Sequence, residues 1–326
     1  MAEPTKADLS GAGTESFRIA GPIATGLELF VLHQPPVPES ATRGAVLYVH
    51  GATFPCNLAV GFKFDEPSWM DDLAQAGFDV WAFDFHGYGG SSRYTEMAEP
   101  PSAHPPLGRA TVAVEQIDTV VRFVLERTNR KRLHLIAHSW GTQPAGLFAS
   151  QYPERADRLV FFAPILQRNM TNLPSPNTAP AYRLWTVDDQ WRRFVEDVPK
   201  DHPPVLLKRH FERWALAYLA SDPDSATRTP PAVMTPGGPN ADIFASWSGE
   251  LAYTPAAIRA STLLVRGEWD SLCTDADAGW LRSAFRRDTA LRDVKIPQAT
   301  HLMHLEEGRF DLHRATREFL TDEEPT

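Results

Sequence analysis

The stretch Ala137-His138-Ser139-Trp140-Gly141 follows an apolar run at residues 133–136 and precedes a segment with no charged residue until position 154. A strand that turns sharply into a helix holds the residue at its turn clear of the backbone, beside the N-terminus of the helix. Small side chains two residues before and two residues after the turn avoid collisions there. The stretch therefore predicts a strand, a turn and a helix, with the Ser139 hydroxyl presented for reaction.

Other predicted strands end in loops that carry glycine or chemically reactive residues. They are residues 45–49 before His50-Gly51-Ala52-Thr53, residues 78–83 before the glycine-rich loop 84–92, residues 262–266 before Gly267-Glu268-Trp269-Asp270, and residues 294–297 before His301. Strand and helix patterns alternate over 44–164 and 260–319, which is typical of a parallel sheet covered on both faces. Residues 27–32 alternate polar and apolar and predict an antiparallel edge.

These motifs, in this order, resemble the α/β-hydrolase family, in its serine-nucleophile branch of esterases and lipases with a cap domain. The resemblance implies a doubly wound α/β fold with a mostly parallel sheet and an inserted helical cap. It also implies that Ser139 is the nucleophile, in an elbow where Ala137 replaces the usual first glycine. The family's oxyanion hole, which holds the negative oxygen formed during attack, would use the backbone N–H groups of Ala52 and Trp140.

A nucleophilic serine needs a base, and the base needs an acid that orients it. The family carries the acid in a Gly-x-x-Asp loop after a strand, and Asp270 matches that position. Three other acidic residues compete with it and are expected in the loop or in the first turn of the next helix, where they favour the helix dipole. These are Glu268, Asp275 and Asp277.

Two histidines compete for the role of base. In related hydrolases the base lies five residues ahead of an acidic residue that opens the last helix, and His301 stands in that relation to Glu306. His304 does not fit this spacing and is expected to be structural. A metal site built on the two histidines is not favoured, because no His-Glu-x-x-His motif or cysteine cluster accompanies them. We expect no metal and no cofactor.

The segment 166–254 interrupts the strand and helix alternation and is expected to be the cap, between core parts 1–165 and 255–326. Two helices are predicted in it, near Tyr182–Asp197 and Pro204–Ser221. We expect the charged run Arg192-Arg193 to lie on a solvated face. The cap is rich in aromatic residues, of which three are candidates for an apolar substrate pocket above Ser139. These are Trp185, Trp214 and Trp247.

The net charge of −9 argues against general binding to nucleic acid or to anionic membranes, which require basic surfaces. Residues 1–10 lack the apolar core of a signal peptide, and no apolar run approaches the roughly 20 residues of a membrane span. Cys56 and Cys273 are too few for a disulfide scaffold. We therefore expect a protein of the cytoplasm that acts on a small molecule. The sequence leaves its oligomeric state open.

The resemblance implies a serine hydrolase, and hydrolysis of a carboxylic ester, thioester or lactone of a hydrophobic small molecule is the leading expectation. An amidase or aminopeptidase of the proline iminopeptidase type is an alternative, in which Glu196 or Glu212 would bind the substrate's amine. A ligand-binding protein on a hydrolase scaffold is another. The glycine-rich loop 84–92 matches neither the P-loop nor the dinucleotide-binding pattern, so a nucleotide site is not favoured.

Overall fold

The computed structural model describes residues 5–8, 13–22, 26–37 and 43–322, and residues 5–8 are described by their backbone alone. Five short segments of the predicted core parts 1–165 and 255–326 lie outside the described residues. They are residues 1–4, 9–12, 23–25, 38–42 and 323–326. The strands are β1 (Thr5–Asp8), β2 (Glu15–Ala20), β3 (Glu28–Gln34), β4 (Gly44–Val49), β5 (Phe78–Asp84), β6 (Leu133–His138), β7 (Ala156–Phe162), β8 (Tyr182–Thr186), β9 (Ala232–Pro236), β10 (Ser261–Gly267) and β11 (Leu291–Ile296). The α-helices are α1 (Trp69–Gln75), α2 (Ala110–Thr128), α3 (Thr142–Gln151), α4 (Val187–Val195), α5 (Lys208–Ala220), α6 (Gly238–Trp247), α7 (Asp275–Ala284) and α8 (Arg309–Thr321).

Within the described residues the main sheet has nine strands in the order β1-β2-β3-β5-β4-β6-β7-β10-β11. Six strands of this sheet pair in parallel with one another: β5, β4, β6, β7, β10 and β11. Strands β1, β2 and β3 form the predicted antiparallel edge. The chain passes from β4 to β5 on one side and then to β6 on the other. Such a switch point opens a crevice at the carboxyl ends of the strands, where doubly wound sheets place their sites.

Both faces of β4, a central strand of the parallel sheet, are buried, which explains why its sequence is apolar without interruption. In β4, Val46 and Tyr48 face a core that they share with α1 and α8, whereas Leu47 and Val49 face a core that they share with α2 and α3. Side chains alternate because successive residues of a strand point to opposite faces. The α/β fold with a mostly parallel, doubly wound sheet is thereby confirmed.

The predicted cap, residues 166–254, contains α4, α5, α6 and a small antiparallel sheet of β8 and β9. The helix predicted near Tyr182–Asp197 is wrong in its first part, because Tyr182–Thr186 is strand β8 and the helix begins at Val187. Strand β8 pairs with β9, which comes about fifty residues later in the sequence, and local patterns do not contain that partner. A capping box between Thr186 and Asp189 begins α4. The boundaries 166–254 stay a prediction.

No helix in the described part of the chain combines the length and the apolar character needed to cross a lipid bilayer.

Candidate active site

Ser139 lies at a sharp turn between β6 and α3. Its φ is +54°, a backbone angle that residues with a side chain rarely adopt and that functional sites retain. Gly141 permits the turn, because a Cβ there would lie 2.3 Å from the carbonyl oxygen of His50. Pro144 falls in the first turn of α3, where its missing N–H breaks no helical hydrogen bond. The strand, turn and helix expected around Ser139 are all present.

The side chains of Ser139, Asp270 and His301 form a hydrogen-bonded chain. Nε2 of His301 lies 2.7 Å from Oγ of Ser139, and Nδ1 lies 3.1 Å from each carboxylate oxygen of Asp270. Ser139 is 6% exposed, and Asp270 and His301 are each 4% exposed. The structure thus brings together three residues from the loops after β6, β10 and β11.

These partners determine where the imidazole of His301 carries its proton. The Asp270 carboxylate offers acceptors, so the Nδ1–H donates to it and Nε2 is left to accept from the Ser139 hydroxyl. The backbone N–H groups of Leu272 and Cys273 also donate to Oδ1 of Asp270. The carboxylate is therefore held in place, and the ring is oriented to take a proton from serine as a general base does.

The acidic residues that compete with Asp270 in the sequence have other partners. The carboxylate of Glu268 accepts from the backbone N–H of Gln298. Asp275 pairs with Arg266 and Lys295. Asp277 belongs to a capping box at the start of α7 and also pairs with Arg168. Because each carboxylate is engaged elsewhere, the structure brings Asp270 alone of these four to His301.

His304 is buried away from the Ser139 hydroxyl. Its ring lies 6.0 Å from that of Phe54 and 4.6 Å from that of His138, and neither ring nitrogen has a hydrogen-bond partner among the described residues. Burial lowers its pKa to about 3, so the ring is neutral. It packs the site as an aromatic ring does.

His138 is a positioning residue that the sequence analysis missed. Its Nε2–H donates to the backbone carbonyl of His301 at 3.1 Å, which fixes the loop of the base against the residue before Ser139. Burial lowers the pKa of His138 well below its usual value. The ring therefore stays neutral and adds no positive charge beside His301. Its place next to Ser139 was the signal available in the sequence.

From its spacing to His301 we expected Glu306 to open the last helix, and that expectation was wrong. Helix α8 begins at Arg309, and the Glu306 carboxylate instead accepts from the backbone N–H and the hydroxyl of Thr300. Burial raises the pKa of Glu306 to about 7, and the hydrogen bonds from Thr300 oppose that rise. The five-residue spacing from His301 therefore reflects a loop that folds back on itself, with Glu306 holding its start.

The loop after β4 lies against the serine turn. A Cβ on Gly51 would be 3.0 Å from Cβ of Ser139. Nδ1 of His50 donates to the carbonyl of Gly51 at 2.7 Å, and Nε2 accepts from the backbone N–H of Phe85 at 3.0 Å. Because N–H and C=O point in opposite directions across a peptide, holding the Gly51 carbonyl also fixes the N–H of Ala52. The assignment of Ala52 and Trp140 as oxyanion donors stays a prediction.

The three candidate pocket tryptophans occupy different places. Trp214 is fully buried, donates its indole N–H to the carbonyl of Leu58 at 2.9 Å, and packs edge-on against Phe54. The rings of the other two lie under arginine side chains: Trp185 is 5.8 Å from the Arg193 guanidinium, and Trp247 is 5.1 Å from that of Arg168. Trp214 therefore adjoins the loop after β4, and Trp185 lies near Arg193, which bonds to Thr53 of that loop. The pocket assignment stays a prediction.

Arg193 does not lie on a solvated face, and that expectation was wrong. Its Nη1 donates to the Thr53 hydroxyl at 2.5 Å and to the Gln190 side chain at 3.0 Å. The expectation holds for Arg192, which is exposed and pairs with Asp189. Helix α4 therefore lays one arginine of the run over the loop that follows β4.

The two glutamates considered for amine binding are both exposed. Glu196 follows α4; partial burial raises its pKa, and the positive charge of Arg193 lowers it. Glu212 lies on α5 and points away from the core, on which the neighbouring Phe211 and Trp214 pack. The site thus holds a cation from α4, and Glu196 is the acidic residue of the two that is near it.

A family model described as alpha/beta hydrolase fold matches residues 44–308. Among known proteins, lipase member K of Homo sapiens is 29% identical over 105 residues, which is 31% of this chain and 26% of that protein. Lysosomal acid lipase/cholesteryl ester hydrolase of Rattus norvegicus is 25% identical over 126 residues, 35% of this chain and 32% of that protein. The chain therefore matches about a third or less of the length of these relatives.

Two solved structures cover nearly all of the chain. The thioesterase domain from the curacin biosynthetic pathway aligns with a TM-score of 0.60 at 16% identity, over 95% of this chain and 100% of that one. An epoxide hydrolase from Vigna radiata aligns with a TM-score of 0.60 at 16% identity, over 95% of this chain and 99% of that one. At such low identity these likenesses show a shared fold.

Proposed function

The chain belongs to the alpha/beta hydrolase fold family, and on that premise we propose that it is a serine hydrolase acting on a carboxylic ester of a hydrophobic small molecule. The observation that carries the proposal is the 2.7 Å contact between Ser139 Oγ and His301 Nε2, with Asp270 on the other ring nitrogen. The lipases among the relatives also support ester chemistry, because their names describe ester-cleaving enzymes.

In the proposed reaction Ser139 Oγ attacks the ester carbonyl carbon while His301 Nε2 takes the hydroxyl proton. As the tetrahedral intermediate collapses, the bond to the alcohol breaks and Nε2 returns the proton to the leaving oxygen. A water molecule then attacks the acyl-enzyme, giving its proton to His301. The acid leaves, the proton returns to Ser139, and the enzyme is restored. Asp270 keeps the ring oriented throughout and stabilises its protonated form.

The negative oxygen of the two tetrahedral intermediates would be bound by the N–H groups of Ala52 and Trp140. What supports this assignment is the close packing of Gly51 on Ser139 and of Gly141 on the His50 carbonyl, together with the hydrogen bond from His50 to the Gly51 carbonyl. Donors fixed in advance need no rearrangement as charge develops, and removal of one typically costs about 3 kcal/mol of barrier stabilisation.

We propose that residues 166–254 act as a cap over this site. The support is that α4 and the residues just after it contact the loops on both sides of the site: Arg193 on α4 bonds to Thr53, and the carboxylate of Asp197 accepts from the backbone N–H of Ser271, next to Asp270. A lid in this place excludes water and strengthens the electrostatic interactions beneath it. Trp185 and Trp214 would then contribute apolar surface to the substrate side.

Thioesters and lactones would use the same residues. The aminopeptidase alternative requires a carboxylate that binds an ammonium group, and Arg193 places a positive charge beside Glu196, the nearer candidate. No observation favours that alternative. The proposed location is the cytoplasm, and the free, buried thiols of Cys56 and Cys273 are in keeping with a reducing compartment.

The test is rapid-mixing kinetics on p-nitrophenyl esters of increasing chain length, with amino-acid p-nitroanilides in parallel. The proposal predicts a burst of p-nitrophenol equal to the enzyme concentration, followed by steady turnover. Faster hydrolysis of the anilides than of the esters would favour the peptidase. Absence of turnover on every substrate, with ligand binding retained, would favour the binding-protein alternative.

A further inference from the structure

Arg193 brings a positive charge from α4 to the oxyanion side of the site. The Thr53 hydroxyl that it contacts belongs to the residue after Ala52. Burial is the main cause of the low pKa values of His138 and His304, the histidines that flank the base, and the charge of Arg193 lowers both pKa values slightly further. The guanidinium therefore lies close to where a substrate would be held.

Within the part of the chain that the structure describes, the charge of Arg193 has no carboxylate partner. Among the described residues no carboxylate lies within the 4.0 Å of an ion pair, and the hydrogen bonds of the guanidinium go to the neutral side chains of Thr53 and Gln190. The carboxylate of Glu196 acts on it only at longer range and is itself exposed. The side chain is partly buried, and loss of hydration lowers its pKa.

Two other arginines, Arg192 and Arg93, allow a comparison with the partners of the Arg193 guanidinium. Arg192, the preceding residue, is exposed and pairs with Asp189 at 2.5 Å. Arg93 is also shielded from water, but its guanidinium donates to the backbone carbonyls of Gly87 and Ser221 and feels the negative charge of Asp222 most strongly among its charged neighbours. Among the described residues, each of these two cations has a carboxylate or backbone carbonyl oxygens as acceptors, whereas the acceptors of Arg193 are the Thr53 hydroxyl and the side-chain amide oxygen of Gln190.

A cation withdrawn from water is costly unless an anion or several acceptors replace its hydration. A guanidinium presents five N–H donors in a planar fork that matches a carboxylate with two parallel hydrogen bonds. In Arg193 only Nη1 makes hydrogen bonds among the described residues, so donors on Nε and Nη2 remain for a ligand. The apolar surroundings, including the Trp185 ring, would strengthen such a pair.

We propose that Arg193 binds a carboxylate group of the substrate, so that the preferred ester is the monoester of a dicarboxylic acid, with its free carboxylate held by α4. The inference rests on the proposed function for the ester bond and adds the charge of the substrate. The hydrocarbon between the two carboxyl groups would lie against the aromatic side chains of the cap.

The kinetic test compares the monoethyl esters of succinic, glutaric and adipic acids with the corresponding neutral diethyl esters, with acid release followed by titration. The proposal predicts that kcat/KM for at least one monoester exceeds that for its diester by tenfold or more, and that the advantage lies mainly in KM. A wild-type enzyme that prefers every neutral diester would overturn the inference.

Variants test whether Arg193 causes the preference for the monoester over the diester. Arg193→Gln should lower the ratio of monoester to diester kcat/KM by about tenfold to a hundredfold, and Arg193→Lys should retain part of it because it keeps the charge. Arg192→Gln is the matched control on the exposed face of the same helix and should leave the ratio unchanged. A ratio that Arg193→Gln leaves unchanged would contradict the proposal, because a residue that merely holds Thr53 affects both substrates equally.

A binding measurement separates failure of this inference from failure of the proposed function. In Ser139→Ala, glutarate or adipate should raise the thermal unfolding midpoint, and the matching neutral diamide should not. This result is expected even if the ester chemistry proposed above were wrong, since it needs no turnover. Equal shifts by diacid and diamide, or none by either, would overturn the role of Arg193 while leaving the esterase proposal intact.

Discussion

Gly141 packs on the carbonyl oxygen of His50 so closely that a Cβ there would lie 2.3 Å from it. This contact joins the serine turn to the loop after β4, and both segments carry the proposed oxyanion donors. The backbone of Gly141 is itself helical, with φ of −55°, so the requirement for glycine is one of space and not of backbone angle.

Gly141→Ala should therefore destabilise the protein by about 1–3 kcal/mol, since backbone atoms must shift to admit the methyl group. The same shift should lower kcat for ester hydrolysis. Gly279→Ala is the matched control: nothing lies within 4 Å of a Cβ at that position in α7, and alanine should stabilise the helix by roughly 0.5–1 kcal/mol. Urea unfolding measures both changes, and equal stability of the two variants would contradict the close packing.

Asp270→Asn should lower kcat about 10³- to 10⁴-fold. An amide at this position can donate to Nδ1 of His301, which favours the wrong tautomer and removes the charge that stabilises the protonated ring. Glu268→Gln, in the same loop, is the control, because its carboxylate accepts from the Gln298 backbone and does not touch His301. Steady-state kinetics on a p-nitrophenyl ester is the measurement. If Glu268→Gln lowered kcat as much as Asp270→Asn does, the assignment of Asp270 as the acid that orients His301 would be wrong.

Much of this site could be predicted from sequence because its signals are local. Ser139, Asp270 and His301 each follow a predicted strand, and parallel strands bring their carboxyl ends to one edge of a sheet. Strand β8 and the direction of Arg193 could not be predicted. Strand β8 depends on pairing with β9, which lies far along the chain. The direction of the Arg193 side chain depends on which side of α4 faces the core, and the charged residues around Arg193 do not reveal that side.

Glu306 gives a pH dependence of stability with a definite sign. Burial raises its pKa to about 7 from an ordinary value of 4.5, so between these values the folded protein holds a proton that the unfolded chain has released. The stability contributed by this group is therefore present below pH 4.5 and is lost as pH rises through 7. Its size is on the order of 2–3 kcal/mol.

Glu306→Gln should remove this dependence, because an amide can still accept from Thr300 and does not ionise. Relative to wild type, the variant should gain stability between pH 4.5 and pH 8 in urea titrations. The buried histidines titrate in both proteins and cancel in the difference. Glu250→Gln, at an exposed carboxylate that makes no ion pair among the described residues, should give a flat difference. A flat difference for Glu306→Gln as well would show that this carboxyl is not buried as described.

The most direct test of the account is the site and rate of labelling by a fluorophosphonate, which reacts with an activated serine and is located by peptide mass spectrometry. We predict one adduct per chain, on Ser139. The adduct should be absent in Ser139→Ala and should form far more slowly in His301→Ala. An adduct on another residue, or labelling of Ser139 at an unchanged rate without His301, would contradict the claim that His301 activates Ser139 as a nucleophile.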